Sequence, residues 1–407
     1  MMKFLHAGLA VLIVSLMTIS TASADENFKK PKREQIRIAQ GEFDNAKGIA
    51  IGKGRLKTGF GVQGQYDSNI YRTSGDAKRD YIFTLEPKVI FDLPFGHENR
   101  HIFQAMYEGK GGIYCDHTKE NYMNNAGIFN LDLDLNRGYF NAYDSIRYTT
   151  DRAGTEFTTL VKRLENTARA TAGVEMGKFT LEGTFQNMVK HYTQGQYSQL
   201  SYYENTYDGT LFYQLFPKVQ ALIDYTFGQV RYRKNHDRNG YYNQILTGLK
   251  GDLTGKTVGI VKLGWQGRRY KTGKDYDGFI GQLATITEFT SRTKLTLSYD
   301  TKPMESVFDS SNYYIMNMVS AKLEQQLKGH FSAWVKSGIS RNLYPQLSSA
   351  NNIKRRDWLF NAELWLNYTI KSWGKAGIGY EYDRRNSNLD SSEYGVHLIS
   401  TRFDLSF

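Results

Sequence analysis

The side chains that could do chemistry are mainly charged and aromatic residues. Asp132 and Asp134 are two residues apart, which in a β-strand puts both carboxylates on one face, about 7 Å apart. Such a pair could hold a cation, although a water-exposed wall commonly carries similar pairs. The histidines, among them His117, His191 and His236, lack metal-ligand spacing. No Gly-x-Ser-x-Gly, His-Glu-x-x-His or Walker phosphate loop occurs. The sequence therefore predicts no enzyme, no catalytic residue, no metal site and no cofactor.

The elements that position these side chains are expected to be strands. In the last segment Phe403, Leu405 and Phe407 share one face, whereas Arg402 and Asp404 share the other. Similar segments of roughly 12 to 16 residues follow one another from about residue 55 onward, separated by turn signals. One face of each segment is apolar and the other polar, which suits a sheet between lipid and water.

The turns alternate in length along the chain. Eight short connections and nine longer polar loops predict about 18 strands, with both barrel ends on the short-turn side. We therefore expect an all-β, transmembrane, antiparallel up-and-down β-barrel with short periplasmic turns and longer external loops. A β-propeller is the rival, but no repeated Trp-Asp blade signature occurs. The longest internal loop spans only about 13 residues, which favours an open or externally gated lumen. Pro87 interrupts a strand, where we expect a bulge.

The two ends of the chain indicate export to the outer membrane of a Gram-negative bacterium. A cleaved signal peptide over residues 1–24 is predicted from three features: Lys3, an apolar run from Leu9 to Ile19, and the small residues Ala22–Ala24. Residues 25–54 are charged and are expected to form a periplasmic lead-in, and residues 55–407 the barrel. Cys115 is the only cysteine, so no internal disulfide is available.

The inward half of each strand is expected to line a channel. Its charged members are Glu86, Lys88, Asp132, Asp134, Glu182, Asp224, Lys262, Lys294, Asp300, Lys336, Glu363, Glu381, Arg402 and Asp404. Trp334 and Trp365 fall on the same face and could stack on sugar rings. A register slip of one residue would send both to the lipid side.

The surplus of positive charge, +11 in total, lies in loops and strand tips. The external basic rim comprises Arg231, Arg233, Lys234, Arg268, Arg269, Arg355, Arg356, Arg384 and Arg385. This rim could attract an anionic polymer by its long-range field, or it could contact lipopolysaccharide phosphates in the outer leaflet. Tyrosine and arginine loops could also bind nucleic acid, but the export signal argues against that partner.

Three stretches carry a family resemblance. These stretches are Gly48–Gly52 before Arg55, Tyr66–Tyr71, and Tyr380–Tyr382 ahead of the terminal Phe407. They resemble the β-barrel porin type 2 family, whose members are often associated with exopolysaccharide export systems. The resemblance implies a pore that secretes an exopolysaccharide or capsular polysaccharide together with a periplasmic polysaccharide-export protein. The alternative is a general or sugar-selective diffusion porin.

The last strand is also expected to guide assembly. Phe403, Leu405 and Phe407 form the C-terminal assembly signal that the barrel-assembly machinery would recognise. Outer-membrane lipid and lipopolysaccharide are the other expected partners.

Overall fold

Alternating apolar and polar side chains fold into antiparallel strands in the computed structural model, which describes residues 37–38, 43, 46–308, 310–347 and 352–407. The strands are β1 (Ile49–Ile51), β2 (Gly54–Asp67), β3 (Asp80–Phe95), β4 (His101–Tyr114), β5 (Tyr122–Asp134), β6 (Gly138–Asp151), β7 (Val161–Met176), β8 (Phe179–Tyr192), β9 (Tyr202–Phe216), β10 (Val219–Tyr232), β11 (Gly240–Thr254), β12 (Thr257–Tyr270), β13 (Tyr276–Thr290), β14 (Thr293–Glu305), β15 (Tyr313–Gln326), β16 (Phe331–Leu347), β17 (Lys354–Lys371), β18 (Gly374–Ser387) and β19 (Tyr394–Ser406). Short 3₁₀ helices cover His97–Asn99, Thr118–Glu120, Gly195–Leu200, His236–Arg238 and Asp390–Ser392.

The sheet closes on itself. Each strand from β2 to β19 pairs with its neighbour in the chain, and β19 pairs with β2, so these 18 strands form a ring. At the seam the Phe407 N–H donates to the Thr58 carbonyl (2.8 Å) and the Thr58 N–H donates to the Phe407 carbonyl (3.0 Å). The prediction of an antiparallel barrel of about 18 strands is confirmed.

Connections alternate between short turns and longer loops, so the barrel has a turn end and a loop end. Turns such as Gly177–Lys178 lie at the end where β2 begins and β19 finishes, and this end is the periplasmic one. Among the residues that the structure describes, no helix is long and apolar enough to cross a membrane.

The outer face of the ring is apolar, as a surface in lipid requires. Ile223 and Ile378 on this face are more than half exposed. Aromatic side chains lie near the strand ends, for example Tyr203 and Trp358 toward the loops and Trp373 at a turn. Aromatic rings with a polar edge favour the membrane–water interface.

The bulge expected at Pro87 is not present. The β2–β3 register runs through the pair Phe60 and Pro87 without a shift. The β3–β4 ladder lacks the pairs at Glu86 and Pro87 and then resumes in the same register. Gly109 faces the proline, and a Cβ there would lie 3.1 Å from Pro87 Cγ. The prediction was wrong because a small residue opposite gives the ring room.

The two faces can be told apart chemically. In a Cys115→Ser background, we expect Asp404→Cys to react with a water-soluble maleimide, because 40% of the Asp404 side chain is exposed on the polar face. Leu405→Cys, one residue along on the lipid face, is expected to stay unmodified in membranes. Mass spectrometry of membranes measures both, and equal labelling would contradict the assigned faces.

Candidate channel constriction

The loop between β6 and β7, residues 152–160, crosses the mouth of the barrel, and we call it L3. Its tip contacts β15, β16 and β18. Strands β7 and β16 are nine positions apart in the ring of 18, so they face each other across the lumen. L3 therefore spans the lumen from one wall to the other.

Thr155 at the tip of L3 is held by three side chains of the far wall. Asn342 Nδ2 donates to Thr155 Oγ1 at 3.0 Å. The Tyr314 hydroxyl lies 3.3 Å from the same oxygen. Arg385 donates to the Thr155 carbonyl. These hydrogen bonds fix the loop across the opening.

Glu156 is the second anchor and is 7% exposed. Its carboxylate accepts hydrogen bonds from Ser306 Oγ (2.7 Å) and the Val307 N–H (2.8 Å). Both donors belong to the connection between β14 and β15. Burial raises the pKa of Glu156 to about 7, although these hydrogen bonds, with Tyr344 and Arg355 nearby, act in the opposite direction. A carboxyl with such a pKa changes charge near neutral pH.

Apolar contacts add to these polar anchors. Phe157 of L3 is buried with Val161, Tyr192 and Leu200, and Val307 from the opposite side packs against the same cluster. Burying a phenylalanine side chain in this way contributes about 2 kcal/mol. Where L3 crosses the mouth, it therefore packs in an apolar cluster to which residues of both walls contribute.

The far wall leans inward to meet L3. The β13–β14 register ends at Gly281 and Thr301, whereas β14 continues to pair with β15 as far as Glu305 and Tyr313. Buried Arg238 donates to three backbone carbonyls at the tip of this hairpin, those of Ser306, Ser311 and Asn312. The hairpin tip and L3 together form the constriction.

This arrangement corrects one of the two alternatives that rested on the shortness of the loops, namely an open lumen, and leaves the externally gated one. L3 reaches the far wall because the β14–β15 hairpin bends toward it. One sequence signal was available, since Phe157 is an isolated aromatic residue in an otherwise polar loop.

A second obstruction lies at the periplasmic end. Ile38, Phe43 and Ala46 are buried in an apolar cluster with the wall residues Ile90 and Ile128. The cluster lies on the inner face, because Ile90 alternates along β3 with residues whose side chains point outward. The segment that precedes the first strand therefore enters the lumen.

Polar contacts hold the same segment. The Ile38 N–H donates to Gln104 Oε1 at 2.9 Å. Lys57 Nζ donates to the Phe43 carbonyl at 3.1 Å. The chain then turns at Gly48, whose φ is +64° and where a Cβ would lie 2.7 Å from the Leu56 carbonyl oxygen. This glycine allows the chain to pass tightly over the rim into β1.

The location expected for the lead-in differs for the residues of it that the structure describes. The signal peptide, residues 1–24, lies outside the described residues. The lead-in, residues 25–54, was expected in the periplasm, yet its described residues Ile38, Phe43 and Ala46 pack inside the barrel. Their apolar side chains are buried against the inner wall, which removes them from water.

Removing one anchor of this segment is expected to widen the channel. Phe43→Asp would bury a charge in the apolar cluster, at a cost of at least about 3 kcal/mol. We expect the segment to leave the wall and single-channel conductance to rise in planar bilayers. Lys47→Asp, at an exposed position four residues along, is the control. Equal conductance of the two variants would contradict an obstructing role.

The charged residues predicted to line the channel all lie on the inner faces of their strands. Most buried among them are Glu86, Lys88, Asp132, Asp224, Asp300 and Glu363. The remaining members are Asp134, Glu182, Lys262, Lys294, Lys336, Glu381, Arg402 and Asp404, which alternate with lipid-facing neighbours.

Ion pairs neutralise much of this wall. Glu86 is paired with Lys110 at 2.9 Å and with Arg402 at 2.7 Å. Lys262 and Asp224 are 2.5 Å apart. The wall is therefore polar, and ion pairs match opposite charges over part of it.

Trp334 and Trp365 are cross-strand partners on the inner face, with ring centroids 6.2 Å apart and planes 22° apart. Trp365 is 7% exposed and donates to Glu363 Oε1 at 2.6 Å. Its indole lies against Gly379, where a Cβ would come within 2.4 Å of the ring. Lys322 Nζ stands 4.9 Å from the Trp334 ring centroid. The Trp365 ring therefore offers little free surface to a sugar, whereas Trp334 is half-buried.

All nine residues of the predicted basic rim lie at the loop end of their strands or in the loops, and their side chains divide between the inner and outer faces. Arg268 and Arg355 are 6% exposed, point inward and pair with Glu305 and Asp357. Arg385 is also buried, at the L3 anchor. The others, namely Arg231, Arg233, Lys234, Arg269, Arg356 and Arg384, lie on the outer face or in loops. The reason is that adjacent strand residues point to opposite faces.

A closed 18-stranded ring, apolar outside, polar inside and narrowed by an inward loop, defines an outer-membrane β-barrel porin. Sequence comparison agrees with this class. The chain belongs to the family described as "Putative beta-barrel porin 2", whose sequence model matches residues 44–405. The resemblance seen in the sequence is thereby confirmed, as is the location in the outer membrane.

Solved structures with a similar arrangement include the outer membrane protein OpdK from Pseudomonas aeruginosa, at 12% identity and a TM-score of 0.47, covering 86% of this chain and 99% of that one. OccAB4 from Acinetobacter baumannii has 12% identity and a TM-score of 0.46, covering 86% and 98%. No curated protein matches the sequence significantly.

Proposed function

We propose that this porin is a diffusion channel for small solutes. The observation that carries the proposal is L3, whose tip is anchored to the opposite wall through Thr155 and Glu156. A ring of 18 strands encloses a water-filled lumen. A loop fixed across this lumen leaves room for small molecules beside it and obstructs large ones.

A wall that carries both signs of charge favours a channel of broad selectivity. Several inward acids and bases are paired with each other, as in the Glu86, Lys110 and Arg402 group. A sugar-selective channel would need accessible aromatic faces, but the Trp365 ring is buried and Lys322 lies over the half-buried Trp334 ring. General diffusion is therefore favoured over sugar selectivity.

Secretion of a polysaccharide, which the family resemblance implies, would need a wider conduit. A polymer chain would have to pass both L3 and the inserted residues Ile38 and Phe43. Both obstructions would have to move during each export event. Secretion through this pore, with a periplasmic export protein as partner, stays a prediction without support from the lumen geometry.

Permeation into liposomes tests the proposal. Purified protein is reconstituted, and swelling is measured in arabinose, glucose, raffinose and a dextran polymer. We expect rates that fall with solute size and no entry of dextran. Entry of dextran at the glucose rate would refute a small-solute channel.

Loss of the gene separates diffusion from secretion in cells. We expect slower uptake of small solutes and unchanged surface polysaccharide in the deletion strain. Polymer accumulating in the periplasm, with solute uptake unchanged, would instead establish the secretion function and overturn the proposal.

A further inference from the structure

The lipid-facing side of β6 carries a carboxylate at mid-height. Asp144 is the seventh of the 14 residues of β6. It shares its face with Ile146 and Tyr148, which are 44% and 39% exposed. Among the described strand residues, the only other lipid-facing carboxylate is Asp277, at the loop end of β13 and paired with Arg269. A carboxylate at the depth of Asp144 is costly in lipid.

Amide side chains accompany this carboxylate. Asn166 Nδ2 donates to Asp144 Oδ1 at 2.7 Å. On the next two strands Asn187 Nδ2 donates to Asn205 Oδ1 at 2.7 Å. Cross-strand pairing places Asp144, Ala168, Asn187 and Asn205 in one row across β6 to β9. The lipid-facing belt is therefore interrupted by a polar row.

A groove lies four residues closer to the periplasm on the same strands. Its floor is a second cross-strand row, Ala172, Gly183 and Gly209, with Phe140 at one end and Tyr225 at the other. The depression has a volume of about 520 Å³. Small residues remove side-chain bulk from three adjacent strands, so another surface can approach the backbone closely.

We infer that the outer face of β6 to β9 is an interface with a second copy of this chain in the membrane. An acyl chain could fill the groove, but it offers no hydrogen-bond donor to the carboxylate. Asp144 Oδ2 has no donor among the described residues. The occupant must therefore supply polar groups at mid-membrane depth as well as apolar bulk.

A second copy supplies both. The patch itself presents amide donors on Asn187 and Asn205 in the same cross-strand row as the Asp144 acceptor, since the amide of Asn166 already donates to Asp144 and to the Ser145 carbonyl. It also presents aromatic rings, Phe140 and Tyr225, beside a groove that such rings can fill. The surface is thus complementary to itself, which suits the closed symmetry of most homo-oligomers. Interhelical contacts in membranes use the same combination of small residues and polar groups.

The interface can be blocked without disturbing the barrel. A Cβ at Gly209 meets no atom within 4 Å, so Gly209→Phe fills the groove and leaves the monomer fold intact. Gly64→Phe is the matched control, because Gly64 lies on the lipid face of β2, seven strands away, where a Cβ meets its nearest atom at 3.4 Å. A second variant, Asp144→Leu, removes the acceptor and suits lipid better than the native residue.

Cross-linking in outer membranes, followed by light scattering in mild detergent, gives the oligomeric state. We expect oligomers for the native protein and Gly64→Phe, and loss of the oligomer for Gly209→Phe and Asp144→Leu. Heat-modifiable gel mobility checks that all variants are folded barrels. A native monomer in both assays, or an oligomer that persists in both interface variants, would overturn the inference. So would a groove occupied by lipid in a monomer or by a different protein.

Discussion

Channels that lack the tip of L3 are expected to carry about threefold more current than the native channel, since the ring of 18 strands is wide without it. The change replaces residues 153–158 by two glycines. It removes Thr155 and Glu156, which anchor the loop, and Phe157, which fills its apolar centre. Single-channel recording in planar bilayers measures the effect.

The same variant should admit larger solutes into liposomes, raffinose first. As a control, the loop between β2 and β3 is shortened over residues 74–77, which are all exposed to solvent. That change should leave conductance unaltered. A native current through the L3 variant would show that the loop does not limit the channel.

Conductance is also expected to rise with pH between about pH 5 and about pH 8. Burial raises the pKa of Glu156 from its ordinary 4.5 to about 7 in the docked loop. The docked state therefore binds the proton more tightly than the undocked state does. The free energy that holds L3 in its docked position is most favourable below pH 4.5. It weakens by about 3 kcal/mol in total as the pH rises toward 7.

Glu156→Gln keeps the shape of the side chain and cannot ionise. Its carbonyl can accept from the Val307 N–H while its amide donates to Ser306 Oγ, so the loop stays docked. We expect a low conductance that no longer depends on pH. Asp116→Asn, at an exposed carboxylate, should retain the native pH dependence. Native behaviour of Glu156→Gln would mean that another group controls the response.

The barrel itself was predictable because alternation with period two is a local property. Phe403, Leu405 and Phe407 point toward lipid, whereas Arg402 and Asp404 point into the lumen. The same alternation placed every charged residue predicted to line the channel on the inner face. Neighbours that were grouped by charge alone, such as Arg268 and Arg269, divide between the two faces, since adjacent strand residues point in opposite directions.

The contents of the lumen were not predictable in the same way. Thr155 meets Asn342 across 187 positions of sequence, and no periodicity encodes such a contact. Phe43 sits in a charged segment with no strand pattern, so only its apolar character pointed to a buried site. The lipid-facing Asp144 is visible in the alternation, because it shares a face with Ile146 and Tyr148.

A disulfide cross-link between L3 and the far wall shows whether the loop spans the lumen. Thr155→Cys and Asn342→Cys are combined in a Cys115→Ser background, with Thr155→Cys plus Ser332→Cys, near the turn end of the same strand, as control. We expect mild oxidation in membranes to link the first pair, seen as a faster gel band, and to leave the second unlinked. If position 155 remains free to react with maleimide in the oxidised first pair, L3 does not span the lumen.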